Sequence, residues 1–267
     1  MSVELVPDPD GRGGVTVLLD GMAQSHVDIA DPRHLHFEYV RLIACALDAL
    51  PPGRLRVTHV GGAGMTLARY VHATRPGSPQ VVLEPDSGLT ALVRERLPLP
   101  PRARVRVRPL DGRTGLAALA DGSADVGVLA AYAGGRVPPE LTTIELLDDV
   151  ARVLDGGLFL ANLTDERDRA YLARVVAGVR QVFGNVLLTA PSEILKGRRF
   201  GNTVVVASRS ALDGDGIRRQ VARVPFPAGV RDGVDVLRLV GRRPPWTDAD
   251  RGPSPEPPPL DGTWRIR

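Results

Sequence analysis

The sequence predicts a doubly wound α/β fold, a mainly parallel sheet with helices on both faces behind a small N-terminal β-hairpin. Three observations predict it. Strand-like apolar runs alternate with helix-like segments from residue 55 to residue 208, the pattern of a parallel sheet with crossover helices. Val57-Thr58-His59-Val60 runs directly into Gly61-Gly62-Ala63-Gly64, and a helix-like stretch follows. Val81-Val82-Leu83-Glu84 then arrives about twenty residues later, so a second strand ends in an acid at the spacing of a nucleotide-binding unit.

Each element follows from local pattern. Val15 to Leu19 is a strand, Asp20-Gly21 is a turn pair and Met22 to Ile29 returns, which makes a hairpin over residues 13–29. Asp31-Pro32 ends it and can cap a helix over 33–50, whose apolar positions include Leu35, Val40, Ile43, Leu47 and Leu50. Pro51-Pro52-Gly53 closes that helix. Strands are then expected at 55–60, 80–84, 104–109, 124–130 and 158–162, with helices at 65–74, 87–97, 114–120, 140–154 and 166–184. Strands 185–190 and 202–208 lie close enough to form an antiparallel pair joined by the loop 191–201. The expected organisation is a small β region at 1–32, a central α/β domain at 33–209, a mixed segment at 210–243 and a Pro-rich tail at 244–267.

Composition narrows the class. The 267 residues suffice to bury a large core, and 43% are hydrophobic, ordinary for a globular protein. Neither a membrane-spanning run nor a secretory pattern at the N-terminus is visible, so the cytoplasm is the expected compartment. One cysteine, Cys45 in the apolar stretch LIACAL, excludes an intrachain disulfide and reads as packing. The net charge of +3 is modest and carried almost wholly by arginine, Lys196 being the only lysine. Arg102, Arg104, Arg106 and Arg108 alternate along one strand and read as a solvated edge; few aromatics accompany them, so no nucleic-acid partner is expected. The five histidines lack metal-ligand spacing beyond His34-x-His36, which reads as a helix surface, and no metal is expected. No nucleophile elbow and no P-loop lysine motif is present.

In open parallel sheets ligands bind beyond the carboxyl ends of the strands. The first strand end offers Gly61, Gly62 and Gly64, where the backbone can approach a ligand. The second offers Glu84, able to take both hydroxyls of a ribose, with Asp86 two residues on. The third offers Asp111-Gly112, a carboxylate that can accept the exocyclic amine of an adenine. The fourth, Ala130-Ala131-Tyr132-Ala133, holds no ionisable group except a phenol, and nothing there can act as a base at neutral pH.

The segments LLDGMAQS, FEYVRLI, VTHVGGAG, VVLEPD, PLDGRTGL, ADVGVLAAY, VPPELTTIELLDDVARVLDGGLFLANLTD and KGRRFGNTVVVAS together resemble the spermidine synthase (polyamine aminopropyltransferase) family. The resemblance covers roughly residues 15–208, and its flavour is that of the actinobacterial spermidine-synthase-like proteins. It implies a Rossmann-like methyltransferase fold with a mainly parallel seven-stranded sheet, and decarboxylated S-adenosylmethionine or methylthioadenosine as ligand. Carried over by motif, Gln24 would contact the nucleoside, Glu84 the ribose, Asp111 and Gly112 the adenine, and Gly61 to Gly64 the sulfonium side. The family's acid in that glycine loop is matched by Gly64. Its Asp-x-x-Asp pair, which binds and deprotonates the acceptor amine, is matched by Ala130 and Ala133, and its amine-site tyrosine by Phe37. A homodimer is also implied.

Three readings follow. The first is a transferase that binds S-adenosylmethionine or its decarboxylated form, with a rewritten site for a small-molecule acceptor in which Tyr132 and Glu140 are the polar candidates for catalysis. The second is a true aminopropyltransferase using relocated acids such as Asp165, Glu166 or Asp148. The third is a catalytically degenerate nucleoside-binding or scaffold protein.

Overall fold

A computed structural model describes residues 2–9, 11 and 13–258 of the chain. The N-terminal hairpin forms as expected, β2 (Gly14–Leu19) pairing antiparallel with β3 (Met22–Asp28) around the Asp20-Gly21 turn. It carries a third strand that the sequence pattern did not announce. β1 (Val3–Pro7) pairs antiparallel with β2, Val3 opposite Leu19. The free edge of β2 offers unpaired N–H and C=O groups, and β1 satisfies them while Val3 and Leu5 pack toward Val17 and Val27.

The first helix, α1 (Glu38–Asp48), begins at Glu38 rather than at residue 33. The intervening residues are held by side chains instead. His36 stacks on buried His26 with ring centroids 4.5 Å apart, and His34 Nδ1 lies 3.4 Å from Asp28 Oδ2. This corrects the expectation of a helix surface for His34 and His36, because contacts with β3 override local helix propensity.

The central alternation follows in the expected order. β4 (Val57–Val60), α2 (Thr66–Thr74), β5 (Gln80–Leu83), α3 (Ser87–Arg96) and β6 (Val105–Arg108) build one half. α4 (Gly112–Ala117), β7 (Val126–Leu129), a 3₁₀ turn (Pro139–Leu141), α5 (Ile144–Leu154), β8 (Leu158–Asp165) and α6 (Ala170–Phe183) build the other. β9 (Asn185–Pro191), the short α7 (Ser192–Leu195) and β10 (Gly201–Ser208) add the antiparallel pair, followed by α8 (Gly214–Val221), β11 (Ala228–Arg231) and α9 (Gly233–Val240). The sheet order is β11-β9-β10-β8-β7-β4-β5-β6, with β4 to β8 parallel. The fold class is as expected, but the sheet has eight strands where seven were anticipated. The eighth, β11, comes from the mixed segment and completes the edge of β9, Val230 opposite Thr189.

Two apolar layers hold the sheet. α4, α5, α6 and α9 cover one face around Leu146, Leu160's neighbour Phe159, Leu172 and Val179, and α1, α2 and α8 cover the other around Leu42, Ile43, Val71 and Ile217. Cys45 is buried in the second layer, as anticipated. The chain reverses its direction of winding at β4, between β5 and β7, and the crevice at their carboxyl ends is the expected ligand position. At the opposite sheet edge Arg102, Arg104 and Arg106 are exposed, a charged edge that discourages strand pairing. Among the described residues, no helix is long and apolar enough to cross a membrane.

The tail is irregular up to residue 258, yet firmly attached. Arg174 stacks on Trp246, 3.6 Å from the ring centroid, and donates to Asp250. Arg113 and Thr143 both donate to Asp248. Ser254 is fully buried: its Oγ accepts from the Val137 N–H at 2.9 Å, and its carbonyl accepts from Arg136 Nε. Residues 244–258 thus form a strap over the segment that follows β7. Ser254→Ala would leave the buried Val137 N–H without a partner. We expect a loss of about 1–3 kcal/mol in urea unfolding; no change in midpoint would mean the strap contributes nothing to that segment.

Candidate functional site

A cavity of about 450 Å³ opens at the carboxyl ends of β4, β5 and β7. Gln24, Gly61, Gly62, Glu84, Asp111, Gly112, Tyr132 and Glu140, all named from sequence, line it together. Gly64 does not. Its N–H donates to Ser25 Oγ at 3.1 Å, and an added Cβ would lie 2.7 Å from Val27 Cγ2. Its smallness therefore serves the docking of β3 against the turn, and the reading of Gly64 as a ligand contact gives way to a packing role.

The strand ends set the geometry. Register Val60 opposite Leu83 brings the glycine turn beside Glu84, and the Gly61 N–H donates to the Leu83 carbonyl at 2.9 Å. Gly61 has φ +87°, and a Cβ there would lie 2.6 Å from the Ala130 carbonyl, so only glycine fits both the conformation and the approach. Glu84 Oε2 accepts from the Gly62 and Ala63 N–H groups at 3.0 and 3.2 Å, and Oε1 accepts from the Asp86 N–H at 3.1 Å. The acid is held in place before any ligand arrives.

Two further carboxylates stand beside it. Asp86 caps α3 through Oδ1, accepting from the Leu89 N–H at 2.8 Å, while its buried Oδ2 has no partner among the described residues. Asp111 caps α4, and its bond from the Thr114 N–H holds it below the usual carboxylate range. Each lines the cavity while serving the fold. With Asp20 and Glu140 the described lining has five carboxylates and no lysine or arginine.

The end of β7 is chemically different. Ala130, Ala131 and Ala133 present no polar side chain there. Tyr132 accepts from Asn162 Nδ2 at 2.9 Å and lies 3.1 Å from the Asn162 carbonyl, to which it donates. Burial keeps its phenol far above 10, so Tyr132 is a neutral wall rather than a base. Phe37 lines the same region, stacked on Tyr39 with centroids 6.0 Å apart. Tyr39 was not singled out from sequence, because a helix starting at residue 33 would send positions 37 and 39 to different faces. With the helix starting at Glu38, both reach the cavity. Burial pushes the Tyr39 phenol up to about 12, so it too stays neutral.

His59 was also missed as a lining residue. It is buried within β4, and its Nε2 lies 2.9 Å from Gln80 Oε1. Gln80 Nε2 donates to the Ala68 carbonyl, which turns Gln80 Oε1 toward the ring and fixes His59 as a neutral Nε2–H donor. Asp165, Glu166 and Asp148, considered as relocated acids, do not line the cavity. Asp165 accepts from the Leu172 and Glu166 N–H groups, and burial raises it to about 6. Among the described residues no group of three His, Cys, Asp or Glu is arranged to hold a metal ion.

A parallel sheet with an antiparallel last pair, and a cavity over its carboxyl ends, defines the Rossmann-like methyltransferase fold. Solved structures agree. The chain is similar to a "probable spermidine synthase" from Corynebacterium glutamicum ATCC 13032, with 31% identity, a TM-score of 0.85 and 92% of each chain covered. It is similar in fold to spermidine synthase from Thermotoga maritima, with 15% identity, a TM-score of 0.58, and 90% of this chain and 84% of that one covered. Human methyltransferase-like protein 13, solved in complex with SAH, shares the fold at 21% identity and a TM-score of 0.53, with 80% of this chain and 95% of that one covered. No family model matches the chain, and no curated protein sequence does. On the first of these likenesses, the chain belongs to the spermidine synthase family.

The buried histidine makes a pH prediction. Burial lowers His59 from 6.5 to about 4 in the folded chain. Its contribution to stability is therefore complete above pH 6.5 and is lost as the pH falls toward 4, where the unfolded chain alone takes up the proton. The loss is on the order of 3 kcal/mol. In His59→Gln, unfolding free energy between pH 6.5 and 4 should fall less steeply by that amount; a pH profile parallel to that of the unaltered chain would contradict it.

Proposed function

We propose that this chain is a transferase that binds an adenosyl sulfonium, S-adenosylmethionine or its decarboxylated form, and passes a group to a small neutral acceptor. One observation carries the reading. In a chain with 34 Lys and Arg residues, the cavity lining has five carboxylates and no cationic side chain. A dinucleotide would bring phosphates to a wall with no lysine or arginine, at a cost of several kcal/mol for each charge left unpaired. A nucleoside sulfonium brings a cation, ribose hydroxyls and an exocyclic amine, all suited to carboxylate oxygens.

In this reading Glu84 takes the ribose hydroxyls, the carboxylates of Asp86 and Asp111 face donors of the nucleoside, and Gln24 closes over it. When bound, the sulfonium supplies an electrophilic carbon beside a thioether leaving group. The chain's own part is positioning. The alanines after β7 and the neutral Tyr132 and Tyr39 phenols exclude water and shape an acceptor subsite without a fixed charge. Transfer to a lone pair that is already available needs mainly proximity and alignment. Glu140, on the 3₁₀ turn at the cavity wall, is the group we assign to receive a proton. A homodimer belongs to the same proposal and is read by light scattering.

A second reading, aminopropyl transfer to a polyamine, is favoured by the likeness to the Corynebacterium protein and by the Asp20 and Glu140 carboxylates, which suit an ammonium group. Calorimetry with S-adenosylmethionine, its decarboxylated form and methylthioadenosine tests the shared part. We expect binding that Glu84→Gln weakens about tenfold or more; no binding of any of the three ends both readings. Incubation with decarboxylated S-adenosylmethionine and a panel of diamines separates them. We expect no release of methylthioadenosine, and release abolished by Glu140→Gln would establish the second reading in place of the first.

A further inference from the structure

Away from the cavity, a second cleft of about 240 Å³ lies between the start of α6, β10, α7 and the β11–α9 corner. It shares no lining residue with the first. Three arginines from three separate elements line it: Arg169 at the N-cap of α6, Arg231 at the end of β11 and Arg238 on α9. We propose that this cleft is a second binding site, specific for a phosphate dianion, free or as the head of a small ester.

Charge selects the ligand. One carboxylate, Asp235, lines the cleft against three arginines, which leaves a net charge of +2. Asp235 is shared by two of the arginines: it accepts a long hydrogen bond from Arg238 Nη1 at 3.4 Å and lies 3.6 Å from Arg231 Nε, so one carboxylate faces two guanidinium groups. Arg169 is the sharper sign. Its Nη1 donates to the Leu195 carbonyl at 3.1 Å, which fixes the planar group, while its Nη2 is not buried and has no hydrogen-bond partner among the described residues. A phosphate oxygen can meet that open guanidinium edge with a charge-assisted bond. Arginine's fork geometry suits phosphate, and the cleft is smaller than a typical drug-sized site, as a phosphate head requires. Leu172, Leu188 and Ile194 form an aliphatic wall that can take the short carbon body of an ester but offers an anion no competing acceptor.

The site is tested on the full chain by calorimetry at pH 8, with ionic strength held constant by chloride. Inorganic phosphate and glycerol 2-phosphate are the two probes, and they separate a free anion from an ester. We expect one saturable site for at least one probe, with affinity reduced about tenfold in both Arg231→Gln and Arg238→Gln. Both side chains are exposed, Arg231 by 44% and Arg238 by 75%, so these variants should fold; circular dichroism checks it. Arg169→Gln should abolish binding. Heat no greater than the chloride control with both probes, or unchanged affinity in folded Arg238→Gln, overturns the proposal.

Discussion

The structure turns on one contact, the carboxylate of Glu84 held by the N–H groups of Gly62 and Ala63. It ties the carboxyl ends of β4 and β5 together at the point where the sheet reverses its winding. Bonds from amides to a carboxylate contribute about 1.5–3 kcal/mol each, more than neutral ones, and this acid accepts three with the Asp86 N–H included. The consequences spread along the chain. The turn takes Gly61, Ala63 and Met65 through positive φ and delivers α2. Gly64 then donates to Ser25, and Thr66 Oγ1 donates to the His26 carbonyl, so the N-terminal sheet docks on the same turn. That docking is what sets Gln24 in the cavity wall.

Charge is sorted in space rather than along the sequence. Acids and arginines are interspersed through the chain, yet five carboxylates and no lysine or arginine line the first cavity. Three arginines and one aspartate line the second cleft. Two of the acids, Asp86 and Asp111, do double service, lining the cavity while capping the helices that follow β5 and β6. An N-cap carboxylate faces the positive end of its helix, which offsets the repulsion between neighbouring acids.

The wall after β7 is stabilised from behind. Its alanines cannot hold themselves in place, and the strap at 244–258 supplies the contacts. Ser254 pins Val137, Asp248 joins Arg113 to Thr143, and Trp246 accepts the Ile144 N–H on its carbonyl while Arg174 covers its ring. The alanine wall is thus given a fixed shape by polar contacts placed outside it.

The sequence by itself determined the alternation, the glycine turn and the acids at the strand ends, because strand and helix periodicity and turn chemistry are local and survive without a partner. It placed Glu84, Asp111 and Ala130 at the ends of three strands, and the family likeness was legible in the same segments. Tertiary structure decided what depends on meeting a distant residue. β1 and β11 became strands because open edges of β2 and β9 were there to pair with them. α1 started late because His34 and His36 found β3, and that shift brought Tyr39 into the cavity beside Phe37. Gly64 turned from ligand contact to packing because Ser25 and Val27 lie against it. The sorting of acids from arginines was invisible for the same reason: a cavity wall gathers side chains from many elements, and no window of sequence contains it.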